Sequence, residues 1–365
     1  MPKRVGYLYE KMLDKDLISW VIVEGSKGKR KRHDVRKVLK DVPGYTDRIY
    51  KLIKDRSYIP TKPKNVLIHD KSSGKERTIG VVPYYPDGII HRLVTEVIKP
   101  VLMRGMYAHS CASIPGRGNM HAIKYMRKAM KNTRNSKYCA KLDIRHFYPT
   151  LKPLNVIKAL SRKIKDVKIL DLILRIISSG SETGLTIGFY INQWLANFYL
   201  EELDHHIVSL PGIRYYVRNM DDMILMGPNK HRLHDAIRKI RLKLHTMELE
   251  LKDNYQVFLV DSRGVDFVGY RFFHNHTLLR HRNFLKLTRQ CRKTIKRMIH
   301  NRVISFRNAS GLLSRVGQLK HCSGLTIRQR YFDPIGSGML KRIVRIRSRL
   351  ILLRQSEKHQ GSLAC

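Results

Sequence analysis

The chain has 365 residues, and its 42% hydrophobic and 28% charged content is typical of a folded protein rather than a disordered one. Its 72 lysines and arginines outnumber 29 aspartates and glutamates, so the net charge of +43 favours a polyanionic partner such as nucleic acid. The sequence has no signal-peptide pattern, no zinc-ligand spacing among its five cysteines and no run approaching about 18 apolar residues, so we expect a cytoplasmic protein that binds no membrane.

The first part of the chain predicts basic helices up to about residue 60. A run of lysines and arginines at 26–32 fits either a solvated loop or phosphate contacts, and the overall charge favours the second. A β-hairpin is predicted next, with strands over 65–69 and 76–82. Two basic residues, Lys75 and Arg77, lie along its second half.

An apolar stripe predicts a core helix over 87–103. The loop beyond it contains Gly116-Arg117-Gly118. Its glycines allow a ligand to approach the backbone closely, and Arg117 is predicted to be free to hold a phosphate. A simple loop would use the same glycines.

A short apolar strand over 139–143 ends in Asp143, and the bulky Tyr148 follows five residues later. Two basic helices are predicted over 153–179. A block that begins with Ile187-Gly188 and ends with Asn192-Gln193 comes next.

Two apolar runs within residues 215–227 flank a polar centre, which predicts two strands joined by a tight turn. Asn219 or Asp221 suits the turn conformation. The adjacent carboxylates of Asp221 and Asp222 repel each other and ionise together only if a cation lies between them. Such a pair is more often a solvated turn than a metal site, so the metal hypothesis depends on Asp143 as a third carboxylate.

The last third predicts a helix capped by Asn229, a strand over 248–252 that carries Lys252, and a hydrophobic turn over 265–270. An amphipathic helix over 284–300 has a dense cationic outer face, which suits a nucleic-acid backbone. A further helix is predicted over 312–323. The basic segment 341–353 is again amphipathic, and 351–365 is predicted to be a disordered tail.

Three of these blocks, in this order, resemble the active-site motifs of reverse transcriptases, and the resemblance runs over roughly residues 45 to 325. The blocks are those around Asp143, Asn192-Gln193 and Asn219-Met220-Asp221-Asp222. The resemblance implies an α+β right-hand polymerase, with a palm of antiparallel sheet packed on helices and a helical thumb. The implied boundaries are fingers 1–138 with a returning segment at 151–183, palm 139–275, thumb 276–350 and tail 351–365.

The resemblance also implies site residues. Asp143, Asp221 and Asp222 would be catalytic, and with the carbonyl of Ile144 they would bind two Mg²⁺ ions, which Mn²⁺ can replace. Tyr148 would be the steric gate that rejects a 2′-hydroxyl. The implied nucleotide contacts are Lys75, Arg77, Arg117, Tyr148, Gln193 and Lys252. The implied template and primer contacts are Gly188, Asn192, Asn219, Met220, Phe267, Gly269, Tyr270, Lys293 and Arg297.

The subgroup that the chain most resembles is that of the diversity-generating retroelement enzymes, on the Ile-Gly-x-x-x-Asn-Gln block and the Arg-Gly-Val-Asp-Phe-Val-Gly-Tyr stretch at 263–270. These enzymes copy a structured template RNA into cDNA with errors at adenines, in mutagenic retrohoming. Implied partners are the template RNA, the RNA–DNA hybrid, dNTPs and a small basic accessory protein that forms a pentamer. A bacterial host and a phage or prophage origin are also implied.

Three alternatives remain open. A group II intron enzyme or an antiphage-defence reverse transcriptase would share the chemistry. A non-catalytic basic RNA-binding protein would use charge alone and would be unaffected by loss of Asp221 and Asp222. The departures at Asn192, where the subgroup has serine, and at Asn219, where the family has tyrosine, remove no metal ligand.

Overall fold

A computed structural model describes residues 4–70 and 74–360, apart from the side chains of Asp70, Lys75 and 349–360. The chain divides into two compact units. The first consists of Met1–Ala122 and Ala140–Val257, and the second of Ile123–Cys139 and Phe258–Cys365. Within the described ranges, no helix is both long enough and apolar enough to cross a membrane.

The structure is rich in helices, whose lengths vary widely in both units. The helices of the first half are α1 (Leu8–Lys11), α2 (Lys15–Gly25), α3 (His33–Leu39), α4 (Val42–Lys54), α5 (Ile89–Met103), α6 (Asn119–Met130), α7 (Phe147–Thr150), α8 (Pro153–Ser161) and α9 (Val167–Ser178). Those that follow are α10 (Tyr190–Tyr199), α11 (Glu201–Ser209), α12 (Lys230–Thr246), α13 (Val260–Arg263), α14 (His281–Ile299), α15 (Phe306–Gln318), α16 (Leu325–Ile327) and α17 (Ser337–Gln360).

The strands form three sheets. They are β1 (Lys64–Asp70), β2 (Lys75–Val81), β3 (Tyr138–Asp143), β4 (Tyr215–Asn219), β5 (Asp222–Gly227), β6 (Gln256–Leu259), β7 (Val265–Phe267), β8 (Tyr270–Phe272) and β9 (Thr277–Leu279). The sheet orders are β1-β2, β4-β5-β3-β6 and β7-β8-β9. The pairs β1–β2, β4–β5, β7–β8 and β8–β9 are antiparallel. Antiparallel pairing together with many helices confirms the predicted α+β class.

Side-chain caps fix several helix starts, because the first backbone N–H groups of a helix have no partner within it. Asp14, Asp41 and Asp166 accept hydrogen bonds from such groups at the starts of α2, α4 and α9. The predicted cap at Asn229 is confirmed, since its side chain accepts from the amides of His231 and Arg232. The predicted hairpin is confirmed as well, with Asp70 opposite Lys75.

The core of the first unit surrounds α5. This helix packs against both α2 and α10. Its apolar stripe is buried, as predicted, with Ile90, Leu93 and Val94 at 0% exposure. The two predicted basic helices are present as α8 and α9, and α9 buries Ile173 and Ile176. The sheet that carries the carboxylates packs through β5 against α12.

Three predicted elements differ from the structure. Residues 248–252 do not form a strand, because only Leu251 makes a bridge, to Ile144. The helix expected over 312–323 begins earlier, at Phe306, where the side chain of Ser305 caps it. The tail predicted to be disordered is helical through Gln360, because 351–360 contain good helix formers and neither Gly nor Pro. Residues 361–365 lie outside the described part.

The division at Val257 differs from the predicted boundary at 275/276. The β7–β9 sheet belongs with the C-terminal helices because Tyr270 donates a hydrogen bond from its hydroxyl to the carbonyl of Gln318, at 3.1 Å. The amide of Ser323 likewise donates to the carbonyl of Thr277. Residues 123–139 join the same unit, since the amide of Val260 donates to the carbonyl of Lys137.

Candidate active site

The three aspartates predicted to act together lie at the ends of neighbouring strands. Asp143 is the last residue of β3, and Asp222 is the first residue of β5. The two strands are adjacent in the sheet. Asp221 immediately precedes β5, in the turn from β4. The sheet therefore brings together carboxylates that are 78 residues apart in sequence.

The turn that carries Asp221 is as tight as an antiparallel hairpin allows. Asn219 pairs with Asp222, so Met220 and Asp221 are its only two central residues. The first central position has a positive φ of 62°, and a methionine occupies it. Asp221 lies in the turn as its second central residue, but the position with positive φ is Met220 rather than Asn219 or Asp221. A non-glycine residue in this region is strained by about 1–3 kcal/mol, which the surrounding contacts must offset.

Those contacts come from Arg218, whose side chain is fully buried. Its Nη1 donates to the carbonyl of Met220 at 3.0 Å and to Oδ1 of Asn197 at 3.1 Å. Its Nε and Nη2 form a two-pronged ion pair with Asp204, at 2.7 and 2.6 Å. The hydroxyl of Tyr216 donates to Asp204 as well, at 2.6 Å. Every arm of this buried cation is satisfied, and one arm holds the strained turn.

The carboxylates influence one another's ionisation. Burial, followed by the negative charges of Asp143 and Asp222, raises the pKa of Asp221 to about 6. Burial disfavours the charged form of an acid, and each neighbouring carboxylate disfavours it further. A cation among the three groups would relieve both effects.

Two lysines already lie against the outer carboxylates. Lys252 Nζ is 2.7 Å from Oδ1 of Asp143, and Lys141 Nζ is 3.5 Å from Oδ2 of Asp222. The position of Lys252 is fixed because its amide donates to the carbonyl of Asp143, next to the bridge between Ile144 and Leu251. The lysines supply the positive charge that this arrangement otherwise lacks.

The donor chemistry fits a divalent cation of the Mg²⁺ type, which prefers carboxylate oxygens. Oδ1 of Asp143 is buried and accepts no well-aligned hydrogen bond from a described residue, despite the short distance to Lys252. Among the described residues, however, no group of three or more His, Cys, Asp or Glu is arranged as a preformed metal cluster. The acids suit a metal in kind and charge, and the lysines would have to move for it to bind.

Tyr148 reaches the same place from α7. Its hydroxyl donates to Sδ of Met220 at 3.6 Å, so the predicted gate residue contacts the turn that carries Asp221. Burial and the charge of Asp221 raise the pKa of its hydroxyl, which is therefore protonated at neutral pH. An aromatic ring fixed beside the carboxylates can restrict the space open to a nucleotide sugar.

The first residue of the Asn192-Gln193 block makes a structural contact. Asn192 is 0% exposed, and its Nδ2 donates to the carbonyl of Thr186, at 2.9 Å. A template contact from Asn192 stays a prediction; in this structure its amide holds the start of α10. Gln193 is exposed and can reach a ligand. Gly188 has a φ of 118°, and a Cβ there would lie 2.4 Å from the carbonyl of Gly80, so it fixes the base of the β1–β2 hairpin.

The predicted phosphate-binding residues are dispersed. Arg77 lies exposed on β2, whereas the side chain of Lys75 lies outside the described part. Arg117 is not free as predicted, because its Nη1 donates to the carbonyls of Met106 and Tyr107. Those bonds fix its position and leave its remaining nitrogens as the candidate donors.

In the second unit, the predicted hydrophobic turn consists of Val268 and Gly269, both with positive φ. Phe267 and Tyr270 flank it and are 0% and 5% exposed. Both rings pack into the core, whereas the two turn residues are partly exposed. Primer contacts from this segment stay a prediction. On α14, Lys293 is exposed and Arg297 is half-buried.

Two functional candidates were missed from the sequence. Lys141 lies two residues before Asp143 on β3, and alternation along a strand places both on one face, so this signal was available. Arg218 directly precedes the Asn219-Met220-Asp221-Asp222 block, and the sequence gives no sign that this arginine is buried. Its burial depends on Asp204 and Asn197, whose contribution no local pattern indicates.

Comparison with known proteins agrees with this geometry. Residues 68–272 match the family described as reverse transcriptase (RNA-dependent DNA polymerase). The group II intron-encoded protein LtrA of Lactococcus lactis subsp. cremoris is 25% identical over 214 residues, which cover 56% of this chain and 34% of that protein. Protein YkfC of Escherichia coli is 24% identical over 161 residues, 41% of this chain and 42% of that protein. The chain thus spans less than half the length of these relatives.

Among solved structures, telomerase from Candida albicans in complex with a fragment of telomeric RNA covers 60% of this chain and 46% of its own, with a TM-score of 0.45 and 13% identity. Telomerase from Candida tropicalis without RNA covers 59% of this chain and 48% of its own, with a TM-score of 0.44 and 14% identity.

Proposed function

We propose, from the premise that this chain belongs to the reverse transcriptase family, that it is an RNA-directed DNA polymerase that makes cDNA on a template RNA. The observation that carries the proposal is the meeting of Asp143, Asp221 and Asp222 at the ends of two adjacent strands. The α+β architecture and the family match confirm the predicted right-hand polymerase class.

In the proposed reaction the 3′-hydroxyl of a primer attacks the α-phosphate of a dNTP. Asp143 and Asp221 would hold divalent metal, with Asp222 beside them, and Lys252 would move from Asp143 towards the phosphates. Divalent cations held there, Mg²⁺ by expectation, would supply activation of the hydroxyl and neutralisation of the leaving pyrophosphate. Arg218 keeps Asp221 in place, and Tyr148 limits the space beside the sugar.

The polyanionic partner is consistent with the charge of the chain. A net charge of +43 would bind template RNA and RNA–DNA hybrid through phosphate contacts, which give affinity without sequence preference. Lys293 and Arg297 on α14 and Arg77 on β2 are candidates for such contacts. This binding would weaken steeply with salt, because each phosphate contact releases counterions.

The finer assignment within the proposal is to a diversity-generating retroelement. It is supported by Ile187-Gly188 followed by Asn192-Gln193 and by the stretch at 263–270. Membership of this subgroup would imply error-prone copying at adenines, a bacterial host, a phage or prophage origin and a pentameric accessory protein. A group II intron-type enzyme is the second candidate, favoured by the similarity to the intron-encoded protein LtrA.

Primer extension on an RNA template that contains all four bases tests the proposal. Extension with dNTPs and Mg²⁺, with misincorporation concentrated opposite adenine, is the result expected for the retroelement enzyme. Faithful extension would favour the group II intron-type or antiphage-defence alternatives. Absence of extension even with the native flanking RNA, while RNA binding survives the loss of both Asp221 and Asp222, would contradict the proposal in favour of a basic RNA-binding protein.

A further inference from the structure

Apart from the carboxylate site, the first unit carries a surface cluster in which one arginine lies against two exposed aromatic rings. The guanidinium carbon of Arg92 is 5.8 Å from the ring centroid of Trp20 and 5.1 Å from that of Tyr190. Trp20 is 48% exposed and Tyr190 is 36% exposed. Two exposed rings that share one cation offer flat faces on which bases can stack.

Each member of this Trp20–Arg92–Tyr190 cluster comes from a different helix, namely α2, α5 and α10. Because α5 packs against both of the others, the cluster has a rigid base. The stem of Arg92 is confined, since a Cβ at Gly25 would lie 3.4 Å from its Cδ. Glu96, which is 3.7 Å from the Arg92 guanidinium and 3.5 Å from the Tyr190 hydroxyl, holds both polar ends. The arrangement is therefore set before any ligand arrives.

Several basic residues lie near the cluster, and two of them are paired with acids, Arg32 with Asp34 at 2.6 Å and Lys27 with Glu24 at 2.5 Å. Burial lowers the pKa of the Lys29 ammonium group, and repulsion by Arg32 and Arg92 lowers it further. Glu96 cannot neutralise the surface alone, because its side chain is only 10% exposed and also pairs with Lys99 at 3.1 Å. Cations that repel one another around exposed rings match a ligand with both phosphates and flat bases.

The chain connects this surface to the nucleotide site over a short distance. The amide of Leu185 donates to the carbonyl of Tyr148, the predicted gate, at 2.8 Å. Tyr190 lies five residues after Leu185, so the Cα atoms of Leu185 and Tyr190 are at most about 18 Å apart. Exposed Gln193 lies on the same helix as Tyr190. A single strand that leaves the copied base can reach the cluster within a few nucleotides.

We infer that the Trp20–Arg92–Tyr190 cluster binds the unpaired template RNA ahead of the copied base. Bases stack on Trp20 and Tyr190, Arg92 adds a cation–π contact, and Lys29 attracts the phosphates. Stacking and phosphate contacts are independent of sequence, as copying of a long template requires. The inference rests on the proposed function, because it assigns the RNA to the template.

The test measures binding of two RNA–DNA hybrids at one fixed salt concentration, with RNA overhangs of one and seven nucleotides. The longer overhang is expected to bind at least about five-fold more tightly to the wild-type protein. We call this tighter binding of the longer overhang the overhang gain. Trp20→Ala and Tyr190→Ala should each lose most of the overhang gain, and Trp20→Phe should keep it. Tyr7→Ala is the matched control, since Tyr7 is an exposed aromatic residue at 76% exposure.

Tryptophan fluorescence gives a second measurement of RNA binding. The chain has two tryptophans, and Trp194 is only 3% exposed, so a ligand at the surface should quench mainly Trp20. The seven-nucleotide overhang should quench Trp20 emission, and this quenching should be absent in Trp20→Phe. An overhang gain that is unchanged in Trp20→Ala and Tyr190→Ala would overturn the inference. Competition by polyglutamate as effective as that by single-stranded RNA would also overturn it, in favour of an acidic protein partner.

Single-nucleotide extension on the one-nucleotide overhang separates this inference from the proposed function. Trp20→Ala should extend that primer at the wild-type rate while it loses the overhang gain. If wild type and variant both fail to extend, the proposed function fails. If both extend and both keep the gain, only the present inference fails.

Discussion

Arg218 Nη1 donates a hydrogen bond to the carbonyl oxygen of Met220 at 3.0 Å, and this bond joins a fully buried cation to the strained turn that presents Asp221. The rest of the guanidinium is fixed by Asp204 at 2.6 Å. The turn is thus held from inside the protein, by a residue whose side chain is fully buried. Arg218 is a positioning residue.

Replacement of Arg218 by lysine should therefore impair catalysis more than folding. Lysine keeps a positive charge near Asp204 but lacks the planar fork that reaches Met220 at the same time. We expect the free energy of unfolding to fall by about 1–3 kcal/mol and kcat for primer extension to fall about ten- to a hundred-fold. Ile176→Ala, which truncates a buried side chain of α9, is the control for lost stability alone. Equal loss of kcat in both variants would show that Arg218 acts only through stability.

Removal of Lys141 should strengthen metal binding in the protein without nucleic acid. Its ammonium group lies 3.5 Å from Asp222, where it competes with a cation. We expect Lys141→Met to lower the Kd for Mn²⁺ about two- to five-fold, as measured by calorimetry. Lys152→Met is the matched control, since Lys152 pairs with Glu248 away from the aspartates. Weaker Mn²⁺ binding by Lys141→Met would show that the lysine helps to assemble the site.

Ionisation of Asp221 should lower the free energy of unfolding of the metal-free protein at neutral pH. Its pKa is raised to about 6 in the folded protein from an ordinary value of 3.8, so folding is penalised once pH exceeds 3.8, and the penalty is complete above pH 6. Asp221→Asn should raise the free energy of unfolding by about 1–2 kcal/mol in EDTA at pH 7.5, with no difference below about pH 4. Urea titrations at both pH values measure this. A gain of the same size at both values, or one also seen in exposed Asp47→Asn, would contradict it.

Tyr148 should control the choice between deoxyribonucleotides and ribonucleotides. Its ring lies beside the turn that carries Asp221, and its hydroxyl contacts Met220 at 3.6 Å. Tyr148→Ala should lower the dNTP-to-rNTP ratio of kcat/KM by roughly ten-fold or more, because the cavity then admits a 2′-hydroxyl. Tyr148→Phe keeps the ring and should keep the ratio. A ratio lowered equally in both variants would assign discrimination to the hydroxyl rather than to the ring.

The sequence predicted the parts of the site that depend on local pattern. Two apolar runs around a polar centre indicated β4 and β5, and turn chemistry indicated the β1–β2 hairpin. Asp143 was found from the order and chemistry of the motifs. These features need only near neighbours in the chain, so they are visible without a fold.

The features that the sequence did not predict depend on distant partners. Asn192 was expected to face a template, but it is buried because the carbonyl of Thr186 needs a donor there. Met220 adopts the positive φ because Arg218 holds its carbonyl. Phe267 and Tyr270 were expected to face a primer, yet their rings fill the core beside the C-terminal helices. In each case a tertiary contact outweighs the local preference.

Single-turnover primer extension by Asp143→Asn is the most direct test of the central claim that the three aspartates form a polymerase site. The substitution keeps the shape of the side chain and removes one negative charge. With an RNA template, dNTPs and Mg²⁺, we expect the rate to fall at least about a hundred-fold, with an unchanged melting temperature and unchanged affinity for the RNA–DNA hybrid. Exposed Asp47→Asn should match wild type. Extension by Asp143→Asn at the wild-type rate would contradict the account.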